Sequence, residues 1–253
     1  MTTALAVKAP LIADAANKCA PGLPASFCHE HSETGCVAGN GLFCFGWAAD
    51  NFDRYVDPFF RQLEIAVISV AIGFVIALGL AMLSHRRRFL TPPLLGLTGI
   101  LYTIPSVAFF FLLLPITGFG FWTAVIPLSA YTLQIIYRNA VVGLANVPAD
   151  AKDAGRGMGM SEGELMFKVE LPLATPEIIA GLRIAIVSTV AIATLAFLAG
   201  AGGLGQLLSQ QNNFKTNIIM IGVLTILMAL ALDLIVLVCQ RLLTPWLRVR
   251  GAQ

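Results

Sequence analysis

An all-α fold that crosses a membrane several times is what this sequence predicts, and three observations predict it. Of the 253 residues, 57% are hydrophobic and 12% charged, and the mean hydropathy is +0.82. An ordinary soluble domain carries about twice that share of charge. No Lys, Arg, Asp or Glu occurs from residue 89 to residue 137, a run long enough for two helices of about 20 residues, the length that crosses a hydrocarbon core. The remaining apolar runs are separated by short charged islands. The net charge of +2 decides little, because in a membrane protein the placement of Lys and Arg carries the topological information.

Taken in order, residues 1–62 differ from the rest. They hold Cys19, Cys28, Cys36 and Cys44, turn-forming Pro and Gly, and the close pair His29 and His31. Lys8 is not followed by the apolar core and cleavage pattern of a secretory signal, so none is expected. The four cysteines fit two disulfides on an oxidising face, with three possible connectivities. They also fit free thiols, and Cys28, His29, Glu30 and His31 could hold a metal. No Cys-x-x-Cys pair is present and the spacing matches no zinc module, so no metal site is assigned and the cysteines are carried forward as disulfide candidates. Residues 52–63 mix aromatics with charges, the pattern of an amphipathic segment lying along the membrane.

The first span is expected at residues 64–84. Ser69, Gly73, Ala77 and Ala81 recur every fourth position, making a smooth face on which another helix can sit. His85, Arg86, Arg87 and Arg88 follow, a basic cluster that marks the cytoplasmic side. The second span, at residues 92–114, contains Tyr102, Thr103, Ile104, Pro105 and Ser106, where proline removes a backbone donor. A simple kink and a bend that lines a path through the membrane are both open readings. A turn at Gly118, Phe119 and Gly120 leads to a third span at residues 121–142, with Gln134 and Arg138 toward its inner end, where Arg138 can reach the interface. A fourth span at residues 177–198 has its own small face, at Gly181, Ala185, Thr189 and Ala193. Gly200, Gly202 and Gly205 formally match Gly-x-Gly-x-x-Gly, but no strand precedes them. A tight, closely packed turn at the outer surface is expected instead. A fifth span covers residues 218–240. Asp233 lies within it, a functional suspect by depth that is read as a packing or interfacial residue.

Counting sides places the amino terminus outside and the carboxyl terminus inside. Arg86, Arg87, Arg88, Arg138, Lys152, Arg156, Lys168, Arg183, Arg241, Arg248 and Arg250 fall inside, and Lys8, Lys18, Arg54, Arg61 and Lys215 outside.

The island at residues 150–172 is charged and punctuated by glycine, so it cannot lie in lipid. Helical patterning runs from Ser161 to Val169, with a stop expected at Leu171 and Pro172. Asp153, Ala154 and Gly155, then Gly159, then Val169, Glu170, Leu171 and Pro172 resemble the Glu-Ala-Ala…Gly…Ile-x-Leu-Pro loop of permeases of binding-protein-dependent ABC importers. Asp153 stands where that family usually has Glu, and Gly155 where it usually has a second Ala; glycine loosens a helix by about 1 kcal/mol. The runs Arg156 to Met160 and Val169 to Leu173 are similar to the branch that takes up glycine betaine, carnitine and choline.

The resemblance covers residues 63–247 and implies a type I importer permease fold with about five spans, a coupling loop at residues 146–174, and a cytoplasmic tail at 248–253. It implies that Asp153, Ala154, Gly155, Gly159, Glu170, Leu171 and Pro172 dock an ATPase. Because a Thr-Ile-Pro-Ser run recurs in that branch, it implies that Tyr102, Thr103, Pro105 and Ser106 border the solute path.

No Gly-x-x-x-x-Gly-Lys-Ser/Thr loop exists in the chain, so no cofactor is expected on it; ATP and Mg belong to a cytoplasmic ABC ATPase partner. With three histidines and no His-Glu-x-x-His, a membrane hydrolase is not expected, and the chain is read as no enzyme. Five spans are few for a solute path, which calls for a second copy or a related permease. The resemblance adds an extracytoplasmic binding protein, a place in the bacterial inner membrane among its lipids, and no nucleic acid. The expected solute is a small quaternary ammonium compound. The alternatives are another small zwitterion, such as ergothioneine or an amino acid, and a membrane scaffold that transports nothing.

Overall fold

The structure is a computed structural model that describes residues 36–37, 39–210 and 213–243. Among them every regular element is helical. A short helix α1 (Phe45–Asp50) precedes α2 (Asp53–Arg86), and a single 3-10 turn (Arg88–Leu90) leads to α3 (Thr91–Thr103) and α4 (Ser106–Thr117). Next come α5 (Phe121–Ala145), α6 (Ala149–Gly157), α7 (Glu162–Leu165), a π turn (Met166–Glu170) and α8 (Leu171–Ala193). A 3-10 turn (Ala196–Ala199), α9 (Leu204–Gln210) and α10 (Lys215–Leu243) complete the order.

The two stripes of small residues explain how the bundle is assembled. Ser69, Gly73, Ala77 and Ala81 are buried along α2, and Gly181, Ala185, Thr189 and Ala193 along α8. Both stripes let a neighbour approach to backbone distance, and the shared neighbour is α5. A Cβ added at Gly73 would lie 1.8 Å from Thr132 Oγ1, and one at Gly181 would lie 2.6 Å from Asn139 Cβ. From the α5 side, a Cβ at Gly143 would lie 2.9 Å from Glu177 Cβ. Helix α5 is therefore clamped between α2 and α8. Thr123, Val125, Leu128, Thr132, Ile136, Tyr137 and Ala140 are all buried on it.

Helix α2 corrects the reading of residues 52–63 as a separate amphipathic segment. It runs unbroken for 34 residues, about 51 Å against a hydrocarbon core of about 30 Å. Its first turns are tied into the bundle by two buried polar side chains, Tyr55 and Gln62. Tyr55 is 2% exposed and donates its hydroxyl to Asn217 Oδ1 at 2.7 Å. Gln62 is fully buried; its amide donates to Val190 O and Thr194 Oγ1, and its Oε1 accepts from Leu204 N–H.

That glutamine anchors the glycine-rich turn. Gly200, Gly202 and Gly203 have φ of 73°, 86° and 94°, the left-handed region that only glycine adopts freely. A Cβ at Gly205 would sit 1.7 Å from Thr194 O. Arg61 donates to Ala201 O and lies 4.7 Å over the Phe121 ring, while Gly120 N–H donates to Ala199 O. These contacts define one end of the bundle, where α2 begins, α4 ends, α5 begins and α8 ends. Contacts of His85, Thr91, Lys152 and Glu170 define the other.

Between these ends α3 and α4 together make one pass, broken by a bend of 94°. Pro105 offers no N–H, and Ile104 before it is extended at φ −66°, ψ 123°, as the residue preceding a proline must be. This is a break rather than a kink. By length and composition α2, the helix from Glu162 to Ala193, and α10 can each cross a membrane, and the bent pair adds a fourth when its two helices are counted as one span. Helix α5 is long enough at 25 residues but less apolar, and protein covers much of it.

Helix α10 packs on α8, and an ion pair joins them. Arg183 Nε and Nη2 donate to Asp233 Oδ1 and Oδ2, both at 2.7 Å. Arg183 was expected at the cytoplasmic side; it lies 12 positions into α8 from Leu171 because a carboxylate meets it there, so it says nothing about topology. Asp233 is an interhelical contact, in keeping with the packing reading.

A disulfide joins Cys36 to Cys44 and closes a loop over the start of α10. Asn40 donates to Asn213 O and accepts from Lys215 N–H, Cys44 N–H donates to Thr216 Oγ1, and Trp47 meets Phe214 edge-on at 4.7 Å. Cys19 and Cys28, together with His29, Glu30 and His31, lie outside the described residues. Cys239 is a free thiol.

Candidate functional site

Two features stand out: a folded polar element at the α6 end and the break between α3 and α4. The polar element is built from its glycines outward. Gly159, at φ +77°, closes α6 in a Schellman arrangement: Met160 N–H donates to Gly155 O at 3.2 Å and Gly159 N–H to Arg156 O at 2.9 Å. Only a left-handed residue following the helix gives both bonds. Gly155 is buried under Leu165, whose Cδ1 would be 2.6 Å from an added Cβ, so the short residue lets α7 fold back onto α6. Ser161 then caps α7 in a capping box with Glu164. Glu164 lies ahead of the apolar part of this helix. A hydrogen bond from Lys168, then bonds from Ser161, hold its carboxyl down at about 2.

The expected stop at Leu171 and Pro172 does not occur. Residues Glu162–Ala193 form one continuous helical rod. The reason is the π turn: Leu171 N–H reaches back five residues to Met166 O, and the wider register takes up the proline's missing donor. Pro172 therefore sits at the start of α8 and does not end a helix.

Glu170 lies inside this joint. It is 6% exposed, and its Oε1 is 3.1 Å from His85 Nε2 and 3.5 Å from Lys152 Nζ. One carboxylate thus ties the end of α2 and the body of α6 to the base of α8. The sequence placed His85 and Lys152 at the cytoplasmic side but did not pair them with Glu170, since neither lies within 15 positions of it. Beside this cluster an open groove of about 760 Å³ is lined by Arg86, Arg88, Lys152, Asp153, Arg156 and Glu162 among others.

The residues expected to dock a partner therefore separate into two groups. Asp153, Ala154 and Gly159 face outward, together with Met158 and Phe167, 70% and 62% exposed. Gly155 and Glu170 are buried, and Leu171 and Pro172 are half-buried. Asp153 pairs with Arg156 at 3.6 Å, and Arg156 also reaches Glu162 at 3.3 Å. The buried set shapes the element and the exposed set forms its surface.

At the break, Tyr102, Thr103 and Pro105 are exposed and Ser106 is half-buried. Thr103 donates its hydroxyl back to Ile100 O at 2.7 Å. The structure adds Tyr131 from α5, absent from the sequence reading, which donates its hydroxyl to Ile104 O. Its ring meets Tyr102 edge-on at 5.7 Å and Phe109 at 6.0 Å. No local pattern in the sequence marks Tyr131, because its partners lie 22 to 29 positions away.

Known proteins agree with this architecture. Residues 69–249 match the family described as binding-protein-dependent transport system inner membrane component. The chain is similar to the osmoprotectant import permease protein OsmW of Salmonella typhimurium, with 34% identity over 78% of this chain and 94% of that protein. It is also similar to the glycine betaine/carnitine/choline transport system permease protein OpuCD of Bacillus subtilis, with 33% identity over 80% of this chain and 90% of that one. Among solved structures, an inward-facing form of the MetNI methionine ABC transporter aligns with a TM-score of 0.63 and 25% identity, over 72% of this chain and 94% of its own. The chain belongs to the family of binding-protein-dependent transport system inner membrane components.

Proposed function

We propose that this chain is the permease subunit of an ATP-driven importer for a small quaternary ammonium solute such as glycine betaine, choline or carnitine. The observation that carries the solute class is the set of relatives whose names specify osmoprotectant, glycine betaine, carnitine or choline transport, at 31–34% identity. In this reading a binding protein delivers the solute from outside. A cytoplasmic ATPase, holding ATP and Mg, docks on the surface formed by Asp153, Ala154, Gly159, Met158 and Phe167. Gly155, Glu170, Leu171 and Pro172 shape that surface from within. Two copies, or this chain and a related permease, face each other across the path, with Tyr102, Thr103, Pro105 and Ser106 along it.

Basic residues support an amino-terminus-outside, five-span topology in the bacterial inner membrane. Arg86, Arg87, Arg88, Lys152, Arg156 and Lys168 gather at the α6 end, against Arg54, Arg61 and Lys215 at the other. The experiment is uptake of labelled choline, glycine betaine and carnitine by the permease reconstituted with its ATPase and binding protein. ATP-dependent accumulation of one of them is expected. Accumulation of methionine or another amino acid instead would favour a second reading, supported by the likeness to a methionine transporter. Accumulation of nothing would favour a scaffold.

A further inference from the structure

The break between α3 and α4 faces a chemical problem if a cation passes it. From residue 89 to residue 137 the chain offers no carboxylate, so the groups that this stretch itself can set against a quaternary ammonium are neutral. Two kinds are present. The first is aromatic: Tyr102 is 48% exposed, while Tyr131 and Phe109 behind it are 4% and 7% exposed and hold edge-on contacts at 5.7 and 6.0 Å. The second is the carboxyl end of α3, whose last carbonyls carry the negative end of the helix dipole and lose their helical donors at the break. Discontinuous helices present such carbonyls to cations in other membrane transporters. A permanently methylated ammonium cannot donate hydrogen bonds, so an aromatic face is its natural partner.

We infer that Tyr102, backed by Tyr131 and Phe109 and standing beside the carbonyls of Tyr102 and Thr103, is a transit site for the quaternary ammonium group of the solute. The inference rests on the solute class and path proposed above and adds the contact by which the permease itself reads that class. Tyr131 sets the geometry of the site by gripping Ile104 O. Tyr102, at the start of the turn that Ile104 ends, supplies the accessible ring. The buried pair Tyr131 and Phe109 keeps that ring from collapsing into the bend.

The test uses the intact complex in proteoliposomes, with a saturating concentration of choline-loaded binding protein. Residue 102 is replaced by Phe, by mono-, di- and trifluorinated phenylalanine, and by Leu. Fluorination drains the negative face of the ring and changes its shape little. Choline uptake should fall stepwise, by at least about threefold from Phe to the trifluorinated ring, and further with Tyr102→Leu. ATPase co-purification should stay at wild-type levels throughout. A flat fluorination series overturns the inference whether or not Tyr102→Leu transports, because a packing role predicts that flatness. Wild-type complex that moves no quaternary ammonium compound defeats the proposed solute class and the transit site together; wild-type uptake with a flat series defeats the transit site alone.

Discussion

Replacing Gly159 by Val and, separately, by Asn tests whether the surface at the α6 end depends on its helix-ending turn. The objection to Val is not crowding, since no heavy atom lies within 4 Å of the added Cβ; it is the backbone. At φ +77° a β-branched residue costs about 1–3 kcal/mol. Escaping that strain means giving up the bonds from Met160 to Gly155 and from Gly159 to Arg156, each contributing about 0.5–1.5 kcal/mol. Either route costs about 1–3 kcal/mol, which lowers ATPase affinity roughly 5-fold to 150-fold if docking requires the turn. Asn tolerates the left-handed region and should stay within about threefold of wild type. The assay is equilibrium binding of the purified ATPase to detergent-solubilised permease, with solute uptake in parallel. Wild-type affinity in Gly159→Val refutes the role of the turn. Equal losses in Val and Asn refute the strain argument and indicate that the partner approaches the glycine itself.

Two further outcomes follow from packing. Glu170→Gln keeps the shape but removes the charge shared by His85 and Lys152, and at about 1–3 kcal/mol it should lower the melting temperature of the purified permease by several degrees; an unchanged melt would show that the buried cluster contributes nothing. Gly205→Ala places a Cβ 1.7 Å from Thr194 O, whereas Gly222→Ala meets nothing within 4 Å, so size-exclusion chromatography should show loss of folded protein for the first and none for the second, and equal behaviour would contradict the assigned approach of α9 to the end of α8.

How much of this was legible in the sequence depended on whether a feature is local. The small stripes on α2 and α8 follow directly from a four-residue repeat, and the turns at Gly118 to Gly120 and Gly200 to Gly205 follow from glycine chemistry. Phe52 to Leu63 looked interfacial because it mixes aromatic and charged residues. Its fate depended on Asn217 and Leu204, more than 140 positions away, whose side chain and backbone satisfy Tyr55 and Gln62 within the bundle. Pro172 looked like a stop because proline rules describe an α register, and they do not anticipate a π turn just before it. Arg183 and Asp233, 50 positions apart, each looked like a lone charge. The island at residues 150–172 was recognisable as a folded element, yet its division into buried and exposed residues came only with the contacts of Leu165, His85 and Lys152.

The continuity of the rod from Glu162 to Ala193 has a mechanical consequence. Its 32 residues span about 48 Å, and they approach α5 closely at Gly181 against Asn139, as well as at Ala174 and Glu177 against Gly143. Gly181 divides the rod into about 28 Å toward the polar element and about 18 Å toward the glycine turn. A rigid rod that pivoted at this contact would act as a lever. A sideways push of about 3 Å at Phe167, about 21 Å from Gly181, would emerge as about 3 Å in the opposite direction at Thr194, about 20 Å beyond it. A stroke delivered at one end of the bundle would then reach the other with its size kept and its direction reversed.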